Sequence, residues 1–244
     1  MECCKSYIMG MILAAGRGVR MGNLTANQPK PLLKVRGKPL IEYSIRLLLN
    51  WGIRDIVVNL HYRKEDLLNY FAKLQLPVRI IPSIEEELLG TGGGVKKAER
   101  FLFPHPFFLL NSDIITDFPL KKLLIDPLPV ATMVLVPYRD GYTPVWVKDE
   151  EVTGFGETGN GEKFTFAGIH LLRSEIFKYL PEGKSSIIDS LYKKLLKNGQ
   201  KIRAVIWDGL WLDLGTEEKY HSIKSAIESG DITLPDFYSG GIIS

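Results

Sequence analysis

Only two cysteines occur in the chain, and they are neighbours, Cys3 and Cys4. Adjacent residues cannot bridge separate parts of a fold, so a structural disulfide is excluded and a reducing, cytoplasmic setting is expected. Histidine is also scarce: His61, His105, His170 and His221 are scattered, with neither metal-ligand spacing nor a serine or cysteine poised for a triad. That removes a zinc site and a hydrolytic triad. The apolar stretch at 7–15 is too short to span a bilayer, which needs about 18 residues or more, so no membrane partner is expected. Charge is nearly balanced, 31 Lys and Arg against 28 Asp and Glu, and the net +3 has no long basic run behind it. Nucleic acid is therefore not the expected partner. Internal repeats and low-complexity tracts are absent, as are the hexapeptide repeats of an appended left-handed β-helix, so no acyltransferase domain is expected.

Two phosphate-binding patterns are missing as well. No G-x-x-x-x-G-K-[ST] string occurs, and after Gly16-Arg17-Gly18 the third glycine of a dinucleotide fingerprint comes one place late, at Gly22. What is present is an apolar run at 7–14 that ends on the small-residue loop Leu13-Ala14-Ala15-Gly16-Arg17-Gly18-Val19-Arg20-Met21-Gly22. Pro29-Lys30-Pro31-Leu32-Leu33 follows closely. Glycines in such a loop let backbone N–H groups close on phosphate oxygens, and Arg17, Arg20 and Lys30 add cations suited to a triphosphate.

With 45% hydrophobic residues over 244 positions, the chain can bury the core of one large α/β domain. Strands are expected at 7–14, 56–60, 78–81 and 107–110, alternating with helices at 40–49, 64–74 and 93–101. Right-handed crossovers between them would bring the phosphate loop and Asn111-Ser112-Asp113 to one rim, beyond the strand carboxyl ends. From Val130 the pattern shifts to short β segments at 145–147, 152–155 and 164–167 between Gly-, Asp- and Asn-rich turns. A small antiparallel lobe is expected there, at roughly 138–170. Helices at 174–180, 186–198 and 216–229 and a strand at 202–206 complete a single domain over 7–234. Residues 1–6 read as a flexible extension and 235–244 as a tail.

The segment 13–33 resembles the signature of the sugar-1-phosphate nucleotidyltransferases, roughly L-A-G/A-G-x-G-x-R-L/M-x-P-L-T followed by P-K-P-L. It matches at Leu13, Ala14, Gly16, Gly18, Arg20, Met21, Leu24, Thr25, Pro29, Lys30, Pro31 and Leu32, and Asn23 stands where proline is common. The resemblance implies a Rossmann-like, mostly parallel sheet flanked by helices, with a small antiparallel β lobe. It also implies transfer of a nucleotidyl group from an NTP to a sugar 1-phosphate, with release of pyrophosphate. Leu13, Ala14, Ala15, Gly16, Arg17 and Gly18 would then bind the nucleotide, Arg20 would hold the leaving pyrophosphate, and Lys30 would bridge the α-phosphate and the incoming phosphate. Asp113 lies in a segment like the family's N-G/S-D, and Asp213 in Trp211-Leu212-Asp213-Leu214-Gly215-Thr216, like its W-x-D-x-G-T. Read alone, each aspartate also fits a turn or helix-cap role. Read together they imply a Mg²⁺ site, oxygen ligands at few positions being completed by water and phosphate.

The run Glu85 to Gly94 resembles the family's G-T-A/G-G base loop, with Gly90 and Thr91 beside the base and Glu87 offered to its amino or imino groups. A carboxylate suits guanine, whereas Thr91-Gly92-Gly93-Gly94 resembles short uridylyltransferases, so both GTP and UTP stay open. On the sugar side Asn111, Glu157 and Gly168 are the expected contacts. The lysine of the common E-K-P segment is missing, Val152-Thr153-Gly154-Phe155 being followed by Gly156-Glu157-Thr158, and Lys163 is the nearest substitute. A cytidylyltransferase for a phosphorylated alcohol and a non-catalytic sugar-nucleotide sensor remain alternatives. A homo-oligomer is compatible with the sequence.

Overall fold

The computed structural model describes residues 7–239. Thirteen strands run β1 Met9–Leu13, β2 Lys34–Val35, β3 Lys38–Pro39, β4 Asp55–Leu60, β5 Arg79–Ile84, β6 Phe107–Asn111, β7 Ile114–Thr116, β8 Ala131–Pro137, β9 Pro144–Lys148, β10 Glu151–Phe155, β11 Glu162–Leu172, β12 Ile202–Ile206 and β13 Trp211–Asp213. The α-helices are α1 Leu40–Asn50, α2 Lys64–Phe71, α3 Gly90–Lys97, α4 Glu99–Leu102, α5 Lys193–Lys197 and α6 Glu217–Ser229. Nine strands form one sheet in the order β5-β4-β1-β6-β11-β8-β12-β10-β9. Its first four are parallel, as the α/β alternation predicts, and β11 then enters antiparallel to both β6 and β8.

Both faces of the sheet are covered, so the central strands are apolar on both sides. Alternate residues divide between two cores: Ile12, Val58 and Leu110 face α1 and α6, while Met11, Val57 and Leu109 face α3 and α5. Gly10 allows the close seating of α1, since a Cβ there would come within 2.8 Å of Leu48 Cδ1.

The 138–170 region holds β9, β10 and the first half of β11, which pair with one another. They are continuous with the main sheet, because the far half of β11 pairs with β6. The register of β11 shifts between Phe166 and His170, at Gly168, whose φ is +80°. The helix expected at 93–101 starts earlier, at Gly90, and breaks after Lys97. That expected at 186–198 opens as a π-helical turn, Ile188–Tyr192, before α5. The start of the expected tail is docked: Tyr238 is buried, its hydroxyl donates to Thr116 O at 2.8 Å and its ring meets Tyr43 edge-on. The extension at 1–6 lies outside the described residues. Among those described, no helix is long and apolar enough to cross a membrane.

Candidate active site

The carboxyl ends of β1, β4 and β6 open on a cavity of about 380 Å³. Leu13, Ala14, Ala15, Gly16 and Gly18 form one side of it, with Arg20 and Lys30 beyond them, and Gly90 and Thr91 stand opposite. Gly18 needs its missing side chain twice over: its φ is +65°, and a Cβ would press to 3.0 Å on the Lys30 stem. Lys30 is held in a short 3₁₀ turn after Pro29 and is only 8% exposed. Its ammonium donates to the Asp113 carboxylate across 83 residues of sequence.

Asp113 sits in the tight connection between β6 and β7, and the β7–β13 ladder brings Asp213 beside it. Asp213 pairs with Ile114, and Leu214 N–H donates to Asp113 O at 2.9 Å. Asp213 Oδ2 accepts from the Tyr142 hydroxyl and, at 3.1 Å, from Lys219 Nζ. Burial, reinforced by the neighbouring Asp213 carboxylate, raises the Tyr142 phenol above its ordinary pKa. Burial opposes the Lys219 ammonium, yet its bonds to Tyr142 and Asp213 carry its pKa above the ordinary lysine value. Both carboxylates thus face a cation already. Among the described residues no three His, Cys, Asp or Glu side chains cluster as a metal cage. Two carboxylate oxygens completed by phosphate and water would suit a hard divalent cation such as Mg²⁺.

A second cavity, of about 490 Å³, lies beyond a wall shared with the first at Arg20, Asn111 and Asp113. Gly168 and Asp213 line it. Gly168 again has a double requirement, since a Cβ would stand 3.0 Å from Asn111 Nδ2 on a left-handed backbone. Three residues singled out in the sequence lie elsewhere. Arg17, Glu87 and Glu157 are exposed and line neither cavity; their neighbours Gly16 and Gly18, Leu88, and Gly156 do. Lys163 packs over the Trp146 ring, 4.9 Å from its centroid.

The glycine-rich run does something its sequence does not announce. Gly92 N–H donates to Ser185 O at 2.9 Å, and Cβ atoms at Gly93 and Gly94 would strike Gly183 O at 2.2 Å and Asn59 Nδ2 at 2.6 Å. These glycines admit the protein's own chain, and only the loop's first residues face the cavity. Beneath them lies a polar relay. Ala14 N–H donates to Asn59 Oδ1 at 2.8 Å, Asn59 Nδ2 to Glu85 Oε1 at 2.7 Å, and Leu89 N–H to Glu85 Oε2 at 3.0 Å. Glu85 is 1% exposed, a buried carboxylate whose oxygens are both used. Asn59, Glu85, Tyr142 and Lys219 were not singled out from sequence. Only Asn59 carries a local signal, a polar residue near the end of the otherwise apolar β4.

The family described as nucleotidyl transferase matches residues 9–230. A mannose-1-phosphate guanyltransferase of Pichia angusta is 32% identical over 230 residues, covering 87% of this chain and 62% of that protein's length. A D-glycero-alpha-D-manno-heptose 1-phosphate guanylyltransferase of Campylobacter jejuni is 30% identical over 221 residues, covering 88% of this chain and 97% of that protein. The chain therefore spans less than two thirds of the first relative and nearly all of the second. Among solved structures, HddC from Yersinia pseudotuberculosis superposes with a TM-score of 0.75 at 25% identity, covering 91% of this chain and 99% of that one. That protein has also been solved with GMP-PN.

Proposed function

The chain belongs to the sugar-1-phosphate nucleotidyltransferases, and from that premise we propose that it transfers a guanylyl group from GTP to a sugar 1-phosphate. The observation that carries this reading is Lys30. It is a buried ammonium beside the wall where the two cavities meet, paired with an aspartate that lines both. A phosphate in the first cavity would meet Lys30 directly, and Arg20, which lines both cavities, would serve a phosphate on either side of the wall. The guanylyl relatives support GTP as the donor.

The acceptor's phosphate oxygen attacks the α-phosphorus in line; one P–O bond forms, the bond to the β-phosphate oxygen breaks, and pyrophosphate departs. No side chain needs to become covalently attached, because the acceptor is already an anion at neutral pH. The work left to the protein is orientation and charge neutralisation. Backbone N–H groups of the 14–18 loop cradle the triphosphate, Arg20 draws off the pyrophosphate charge, and Lys30 stabilises the α-phosphate and the incoming oxygen. Leu88, Gly90 and Thr91 flank the base, while Asn111 and Gly168 bound the sugar. Asp113 and Asp213 would hold Mg²⁺, which supplies charge neutralisation to phosphates that otherwise repel. Incubation with GTP, Mg²⁺ and mannose or heptose 1-phosphate, with the product identified by mass, tests the reading. A GDP-sugar is expected. Product from UTP or CTP alone would displace guanine.

A further inference from the structure

The two walls of the second cavity differ in chemistry. One, supplied by the antiparallel strands, is largely apolar, with Val145, Phe155, Phe166 and Ala167. Such a wall can pack against a sugar ring but cannot hydrogen-bond its hydroxyls. The other is one short segment that contributes Ser186, Asp189 and Lys193. Neither the exposed Glu157 nor Lys163, turned onto Trp146, supplies charge to this cavity.

Asp189 and Lys193 face each other one helical step apart, Oδ1 to Nζ at 2.7 Å, with side chains 62% and 53% exposed. An ion pair this exposed adds little to stability and exchanges its partner readily. The turn beneath it is firmly held. Leu191 and Tyr192 are fully buried, the Tyr192 hydroxyl hydrogen-bonds His170 Nδ1, and Ser190 N–H donates to Ser186 O at 2.9 Å. Ile187 N–H donates to Thr91 Oγ1 at 2.9 Å, which fastens the turn to the loop flanking the nucleotide cavity. A π-helical turn is rare and recurs at functional sites, and this one opens the segment that continues as α5. Here it sets a weak, open ion pair on a rigid base, and the cavity's other charged groups, Arg20, Asp113 and Asp213, are those assigned to phosphate and metal.

We infer that Asp189 and Lys193 are the specificity-determining pair for the acceptor. Asp189 accepts hydrogen bonds from sugar hydroxyls, Lys193 donates to a sugar oxygen, and the bond between them opens to admit the ligand. The ligand class is a pyranose 1-phosphate whose polyhydroxylated ring carries no charge of its own. The inference rests on the sugar-phosphate reading of this cavity.

The test is steady-state kinetics of the Mg²⁺-loaded full chain as wild type, Lys193→Met, Lys193→Arg and Asp189→Asn, varying GTP and the sugar phosphate separately. The acceptor KM is expected to rise about tenfold in Lys193→Met and Asp189→Asn, with the GTP KM within about twofold, and Lys193→Arg to recover most of the loss. Deoxy-sugar phosphates should also lose their penalty in Asp189→Asn at the hydroxyl that Asp189 reads. An unchanged acceptor KM in both variants of an active enzyme overturns the inference alone. A wild type inactive with every sugar phosphate overturns the underlying reading and the inference with it.

Discussion

Asn59 donates its side-chain amide to the buried Glu85 carboxylate at 2.7 Å, and through that bond the loop after β1 and the loop after β5 are one structure. The amide's oxygen takes the Ala14 N–H, and the far oxygen of Glu85 takes the Leu89 N–H. Each loop is thereby fixed before any nucleotide arrives. Pre-fixing lowers the entropy cost of binding.

Breaking the relay should therefore weaken nucleotide binding as well as the fold. Asn59→Ala leaves a buried carboxylate and a backbone N–H short of partners, an expected cost of about 1–3 kcal/mol. Gly94→Ala should act similarly by crowding, its Cβ meeting Asn59 Nδ2 at 2.6 Å and Glu85 Oε1 at 2.7 Å. Denaturant melts would read the stability loss, and GTP titration should show affinity reduced by about tenfold or more, each 1.4 kcal/mol of lost preorganisation being tenfold.

The relay also shows where sequence reading stops. The loop 13–18, Lys30, Asp113 and Asp213 were legible because each sits in a compact motif with its own local chemistry. Residues such as Asn59 and Tyr142 act through partners 26 to 71 positions away, and no local period encodes that. The glycine run misleads for the same reason: the groups its missing side chains make room for are Gly183, Ser185 and Asn59. Strand and helix alternation announced the parallel half of the sheet. The long β11 was seen only in part, because its turn-like Gly168 hides its continuity.

Loss of either acid should remove dependence on added metal. Asp113→Asn and Asp213→Asn are each expected to lower Mg²⁺-dependent turnover by on the order of a hundredfold or more while still melting cooperatively as folded proteins. Activity titrated with MgCl₂ after chelation checks this. Near-normal rates in both variants would dissolve the metal assignment.

His170 makes stability sensitive to acid. Burial lowers its pKa from 6.5 to about 3, so the folded protein keeps it neutral. The unfolded chain takes up the proton below about pH 6.5, and stability is full above that value and falls as the pH drops towards 3. The expected slope from this one group is up to about 1.4 kcal/mol per pH unit. Urea melts at pH 7.5 and pH 5 would measure it, and His170→Gln should flatten the difference.

The docked C-terminal turn should contribute to the fold. Tyr238→Phe keeps the edge-on contact with Tyr43 but strips the hydrogen bond to Thr116 O, for an expected loss of about 1–2 kcal/mol. For a chain of this size that lowers Tm by roughly 2–4 °C per kcal/mol, readable by calorimetry.

A nucleotide and a sugar phosphate reacting at the wall shared by the two cavities would release pyrophosphate. The decisive assay measures that release with Mg²⁺, crossing GTP, UTP, CTP and dTTP against mannose, glucose, N-acetylglucosamine, N-acetylmuramate and heptose 1-phosphates, with choline phosphate as control. Release is expected with GTP and a sugar 1-phosphate, with a fall of about a thousandfold in Lys30→Met. Nucleotide binding without pyrophosphate release for any pair, or full activity in Lys30→Met, would contradict this reading.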